Sequence, residues 1–174
     1  MFRMDTLNIN LLALQGESFE ASYTLTDEYF ASLDSVAIQK GNVCADVVLA
    51  RVAPEEFSLS IKIAGTVIVP CDRCLDDMEQ PVESASTYAV KLGSEESADD
   101  DVIVVGEKDG VLSMAWPVYE TIALAVPIKH VHAPGKCNDA MTQKLEELSA
   151  TRSGDGEDEG NVDPRWAELQ KLKH

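Results

Sequence analysis

Two thiols three positions apart, Cys71 and Cys74, stand in the stretch Val69-Pro70-Cys71-Asp72-Arg73-Cys74-Leu75. On a tight turn both can face one side, and that geometry serves either a metal ion or a dithiol/disulfide couple. Zinc takes four tetrahedral ligands from Cys and His, so a Cys-x-x-Cys pair is half a site. Further ligand types gather in a later stretch, Ile128-Lys129-His130-Val131-His132-Ala133-Pro134-Gly135-Lys136-Cys137. His132 and Cys137 can supply the other half, giving a Cys3His set with His130 as the alternate ligand. Asn138 is placed to cap a helix, so Cys137 precedes a helix N-terminus, whose dipole favours the thiolate that metal binding needs.

Two other readings of the pair stay open. Cys71 and Cys74 can be reduced, partly buried thiols, with His130 and His132 ordinary loop residues. They can also form a redox-responsive dithiol, although such motifs open a helix in a βαβ unit, whereas this pair joins antiparallel runs and Asp72 beside it opposes thiolate formation. Cys44 lies mid-strand on the parity opposite to Val43, Ala45 and Val47, a structural position. Catalysis has little to build on. The histidines are His130, His132 and His174, no Gly-x-Ser-x-Gly or phosphate-cradling glycine loop occurs, and carboxylates cluster only in acidic loops. The chain reads as a non-enzyme.

The elements that must carry the thiols are strands. Phe57, Leu59, Ile61, Ile63, Gly65, Val67, Val69 and Cys71 hold one parity, and Val82, Tyr88, Val90 and Leu92 share a parity on the return. The pair therefore sits at a hairpin tip, and Gly65 suggests a bulge or sharp bend. Upstream, Leu7, Ile9 and Leu11 and then Phe19, Ala21, Tyr23 and Leu25 read as a hairpin. Thr26 or Asp27 can cap a short helix through Tyr29, Phe30 and Leu33, and Val43 to Leu49 alternate as another strand. Val102 to Val105 is a short strand. Trp116-Pro117 opens an apolar helix, with Trp116 and Tyr119 read as core, that Pro127 stops; Met141, Leu145 and Leu148 follow helical spacing. These patterns predict an α+β fold: a curved antiparallel sheet of about six or seven strands with a few packed helices near one side, which the long Gly65-containing strand could curl toward a barrel.

Composition bounds the rest. The 174 residues suit one domain plus a tail, and 31 Asp and Glu against 14 Lys and Arg give a formal charge of −17. That charge repels phosphate backbones and favours basic partners. Four cysteines make no secreted disulfide framework, and the sequence shows neither a signal-peptide core nor a membrane-length apolar run, so a cytoplasmic protein is expected. Residues 1–152 are read as the α+β domain, 153–162 as an acidic glycine-rich linker, and 163–174 as a short C-terminal helix. In that helix Asp163-Pro164 caps the start and Trp166, Leu169 and Leu172 share a face. Such a linker spans about 15 to 18 Å, enough for the helix to dock on the body or on a partner.

The order of features resembles the YceD family, the bacterial large ribosomal RNA subunit accumulation proteins. The resemblance rests on Cys71-Asp72-Arg73-Cys74-Leu75, the helix ending Ala125-Val126-Pro127, the His132-x4-Cys137 stretch and the closing Asp163-Pro164-Arg165-Trp166-x2-Leu169-x2-Leu172. It implies a cytoplasmic, non-catalytic factor in ribosome biogenesis that supports large-subunit ribosomal RNA levels. Where many members look as if they carry a second cysteine pair in the later loop, this chain has Cys137 with His130 and His132 nearby. Combined with the acidic charge, the resemblance points to ribosomal RNA or a pre-ribosomal particle reached through a basic ribosomal protein. The candidate contact residues are Asp72 and Arg73 at the hairpin tip and Arg165, Trp166 and Leu169 in the tail. The alternative is a zinc-binding adaptor touching RNA directly at Arg73. Zinc is the cofactor to test for.

Overall fold

The structure is a computed structural model and describes residues 7–14, 16–33, 37–94, 99 and 101–148. Its frame is a run of three long strands, β3 (Lys40–Ala53), β4 (Glu56–Pro70) and β5 (Asp77–Leu92), each antiparallel to the next. They follow β1 (Asn8–Asn10), β2 (Ser18–Leu25) and helix α1 (Asp27–Ser32) and precede β6 (Val102–Val105), β7 (Val111–Ser113), α2 (Ala115–Ala125) and α3 (Asp139–Leu148). The period-two pattern does what it implies: Phe57, Leu59, Ile61, Ile63, Val67 and Val69 of β4 are buried beside Val43, Ala45, Val47 and Leu49 of β3. Tyr29 and Phe30 from α1 and Val118 and Ile122 from α2 belong to the same hydrophobic cluster. Burying aliphatic side chains at about 25 cal/mol per Å² makes this cluster the main stabilising element of the sheet.

The main sheet has five strands in the order β2-β3-β4-β5-β6, and β1 and β7 form a separate two-stranded ladder. The sheet is open, which corrects the barrel-like expectation: β2 and β6 are its two edges and do not pair with each other. Nor is it wholly antiparallel, because β6 runs parallel to β5, with Ala89 opposite Val102. The expected first hairpin does not form either. Asn10 turns the chain away, its Oδ1 accepting the N–H groups of Leu12 and Ala13, so that β1 pairs with β7 and β2 pairs with β3.

Gly65 carries no bulge: the ladder continues through it on both sides, and the register shift lies instead between Arg51 and Ala53. A Cβ on Gly65 would come within 2.3 Å of the Asn42 carbonyl oxygen and 2.6 Å of Val43 Cα. The glycine is needed because the β3 backbone passes too close for a side chain. Asp27, expected as a cap, instead accepts the N–H of Gly41 at 2.8 Å and ties α1 to the start of β3. Trp116 is 59% exposed, contrary to its reading as core, while Tyr119 is buried against the sheet. Pro117 falls in the first turn of α2, where its missing N–H costs nothing. The acidic linker and C-terminal helix expected over 153–162 and 163–174 lie outside the described residues, as do Arg165, Trp166 and Leu169.

Candidate metal centre

β4 and β5 splay apart only at their common end, where residues 71–76 form the loop between them. The Cys71 N–H donates to the Asp76 carbonyl at 2.9 Å and the Leu75 N–H to the Cys71 carbonyl at 2.9 Å, which closes the loop at its base. Leu75 takes φ 63°, a left-handed conformation that costs a non-glycine residue about 1 kcal/mol. The tight turn points both thiols inward, and Cys71 and Cys74 are buried.

The chain returns to this loop after α2. Gly135, with φ 76°, helps turn residues 133–136, where the Lys136 N–H donates to the Ala133 carbonyl at 2.9 Å. That turn brings His132 and Cys137 to the thiols. Cys74 Sγ lies 3.3 Å from His132 Nδ1, and Cys71 Sγ lies 4.0 Å from Cys137 Sγ. The ligand atoms of Cys71, Cys74, His132 and Cys137 all lie within 4.8 Å of one another. In a zinc tetrahedron with Zn–S of about 2.3 Å and Zn–N of about 2.0 Å, sulfurs stand about 3.7 Å apart and a sulfur and nitrogen about 3.5 Å. The donor set and its spacing fit such an ion.

Electrostatics press the same way. Burial pushes the Cys71 thiol up, but hydrogen bonds from the backbone N–H groups of Cys74, Arg73 and His132, with help from the Cys74 side chain, outweigh it and bring Cys71 down to about 6. Cys137 goes the other way, pushed up to about 11 by burial and then by hydrogen bonds to, and the charge of, Cys71 and Cys74. The dipole of α3 does not lower it, and Asp139 stands in the first turn of that helix. Beside the Cys71 thiolate a further thiolate at Cys137 is disfavoured until a cation offsets the charge, which is the condition a divalent metal satisfies. A dithiol couple would need only Cys71 and Cys74, whereas the cluster also recruits a histidine nitrogen and a third thiol.

His130 stands outside this group. Its Nδ1 lies 2.9 Å from the Pro127 carbonyl and its Nε2 3.6 Å from Asp72 Oδ1. Asp72, a candidate contact residue of the tip, is exposed and also joins the two loops, a role the sequence reading did not include. Its N–H donates to the His130 carbonyl at 3.0 Å, and its Oδ2 accepts the His130 N–H at 2.8 Å. It stitches the hairpin loop to the histidine loop, and a second stitch runs from Asn138 Nδ2 to Asp76 Oδ2 at 3.2 Å. Asn138 also caps α3, its Oδ1 accepting from Ala140 and Met141. Aspartate in a turn is too common a pattern for either stitch to be read from sequence. Arg73 is exposed at the tip. Cys44 is exposed on the outer face of the sheet, away from the cluster.

Comparison with known proteins decides the family. The family described as "Large ribosomal RNA subunit accumulation protein YceD" matches residues 59–173. This chain belongs to the YceD family. The matched stretch runs from within β4 through both halves of the cysteine and histidine cluster. Among similar proteins, "Uncharacterized protein YlbN" of Bacillus subtilis is 27% identical over 124 residues, 71% of this chain and 70% of that one. "Uncharacterized protein Rv2926c" of Mycobacterium tuberculosis is 27% identical over 168 residues, 90% of this chain and 75% of that one. No solved structure matches. No helix among the described residues is long and apolar enough to cross a membrane.

Proposed function

We propose that this YceD-family chain is a non-catalytic factor that supports accumulation of large-subunit ribosomal RNA, with a zinc ion held by Cys71, Cys74, His132 and Cys137. The observation that carries the reading is the convergence of these four ligand atoms, within 4.8 Å, inside the stretch that matches the family. Zinc with four protein ligands supplies a structural cross-link and leaves no open position for chemistry. In that role the side chains fix the β4–β5 tip against the 128–137 loop, and the tip becomes a rigid surface. The formal charge of −17 favours a basic ribosomal protein or a pre-ribosomal particle in the cytoplasm as the partner, over bare RNA.

Affinity capture of the chain from cells, with nuclease treatment, tests this. A basic ribosomal protein retained after RNA digestion supports the reading, and loss of large-subunit relative to small-subunit RNA on depletion of the chain supports the assignment to accumulation. RNA recovered without any basic protein counts against it. One observation favours a second reading, direct RNA contact: Arg73, Lys129 and Lys136 are all exposed on the two loops that carry the cluster. RNA affinity that falls steeply with salt and is lost in Arg73→Ala would select it.

A further inference from the structure

Helix α3 follows directly on Cys137 of the cluster. None of its residues is buried, and its apolar positions Met141, Leu145 and Leu148 fall on one face at helical spacing, with Leu145 40% and Leu148 84% exposed. A helix of 10 residues is too short to hold itself in water without a packed face. We infer that α3 is one half of a helical hairpin whose other half is this chain's own C-terminal segment, 164–173, laid antiparallel along Met141, Leu145 and Leu148.

Charge selects this occupant. In α3, Lys144 stands against Asp139, Glu146 and Glu147, a net −2, whereas residues 164–173 set Arg165, Lys171 and Lys173 against Glu168, a net +2 in a chain of net −17. Antiparallel packing puts Arg165 beside the acidic end of α3 at Glu147, and Lys171 and Lys173 beside its acidic start at Asp139. Trp166, Leu169 and Leu172 recur every third residue, so they offer one apolar stripe to match the stripe on α3.

Reach selects it too. Residues 149–163 separate the two segments, and a stretch of that length is long enough, at about 20 Å for a coil, to cover the roughly 8–10 Å between packed helix axes. Tethering of this kind gives an effective concentration in the millimolar range. A second copy, repelled by its own charge, does not compete at micromolar protein. This pairing depends on neither the metal nor RNA.

The test uses the full chain carrying Trp116→Phe, which leaves Trp166 as its sole tryptophan. The expected result is a blue-shifted Trp166 emission with reduced iodide quenching, independent of protein concentration, both lost in Leu148→Asp. Leu148 is exposed and outside the core, so the body stays folded, which far-UV circular dichroism checks; Leu145→Asp serves as a second variant. Three outcomes overturn the inference: a solvent-exposed Trp166 in the parent chain, a protected Trp166 that ignores both substitutions, or protection that appears only as the chain dimerises.

Discussion

Asp72 and His130 hold each other twice, once through the Asp72 carboxylate and once through the backbone: the His130 N–H donates to Asp72 Oδ2 at 2.8 Å, and the Asp72 N–H donates to the His130 carbonyl at 3.0 Å. The two residues are 58 positions apart in sequence, and each lies next to or near a thiol or imidazole of the cluster. Their pairing explains how two short loops, neither with a hydrophobic core of its own, come to present four ligand atoms to one point.

Removing that carboxylate should loosen the site without touching a ligand. Asp72→Ala is expected to weaken zinc affinity about 10- to 100-fold, the usual effect of losing an outer partner of a metal site, and Asp72→Asn should lose less because one oxygen remains to accept the His130 N–H. Competition against a chromophoric chelator measures both. Equal affinity in Asp72→Ala and the parent chain would show that the Asp72 carboxylate does not hold the site together.

Proton competition gives a second expectation. Cys71, brought down to about 6, is ionised at neutral pH, whereas Cys137, pushed up to about 11, is protonated until a cation displaces its proton. Metal uptake at neutral pH should therefore release protons, and affinity should rise with pH. A group held below its ordinary value contributes stability that is lost as pH falls through its folded value. Protons compete with the metal for the thiols, so zinc affinity is expected to weaken as pH falls, read as chelator-accessible zinc against pH. A zinc affinity that does not change with pH would argue against thiolate ligation.

The fold offers a prediction at Gly65. Both atoms that a new Cβ would strike, the Asn42 oxygen and Val43 Cα, are backbone in the neighbouring strand and cannot swing away. Gly65→Ala should destabilise the protein by about 1–3 kcal/mol in urea unfolding, the usual range for overpacking. Gly106→Ala is the control, since a Cβ there meets nothing within 4 Å, and it should stay within about 0.5 kcal/mol.

Gly65 also shows where sequence reading stops. The strands around it are legible because Phe57 to Val69 keep one parity, and parity is a local property of an extended chain with one buried face. Cys71 and Cys74 are legible because their spacing means little except on a tight turn, and Cys137 and His132 because ligand types are scarce elsewhere. The pairing of Ile9 with Leu112 is different: a three-residue ladder has no period to detect, and its partner lies far along the chain. The parallel direction of Val102–Val105 is not written in side-chain alternation, which is the same for either direction. The stitch from Asp72 to His130 joins a turn aspartate to a main-chain N–H 58 residues away, a partner that no local pattern names, so only the folded geometry reveals it.

Cys71, Cys74, His132 and Cys137 are expected to hold one zinc ion, which elemental analysis of the chain purified under reducing conditions at neutral pH reads out. The expected result is about one zinc per chain, lost in Cys71→Ser and in Cys137→Ser while Cys44→Ser keeps it. A full chain that is folded, reduced and free of metal even after incubation with zinc would contradict it.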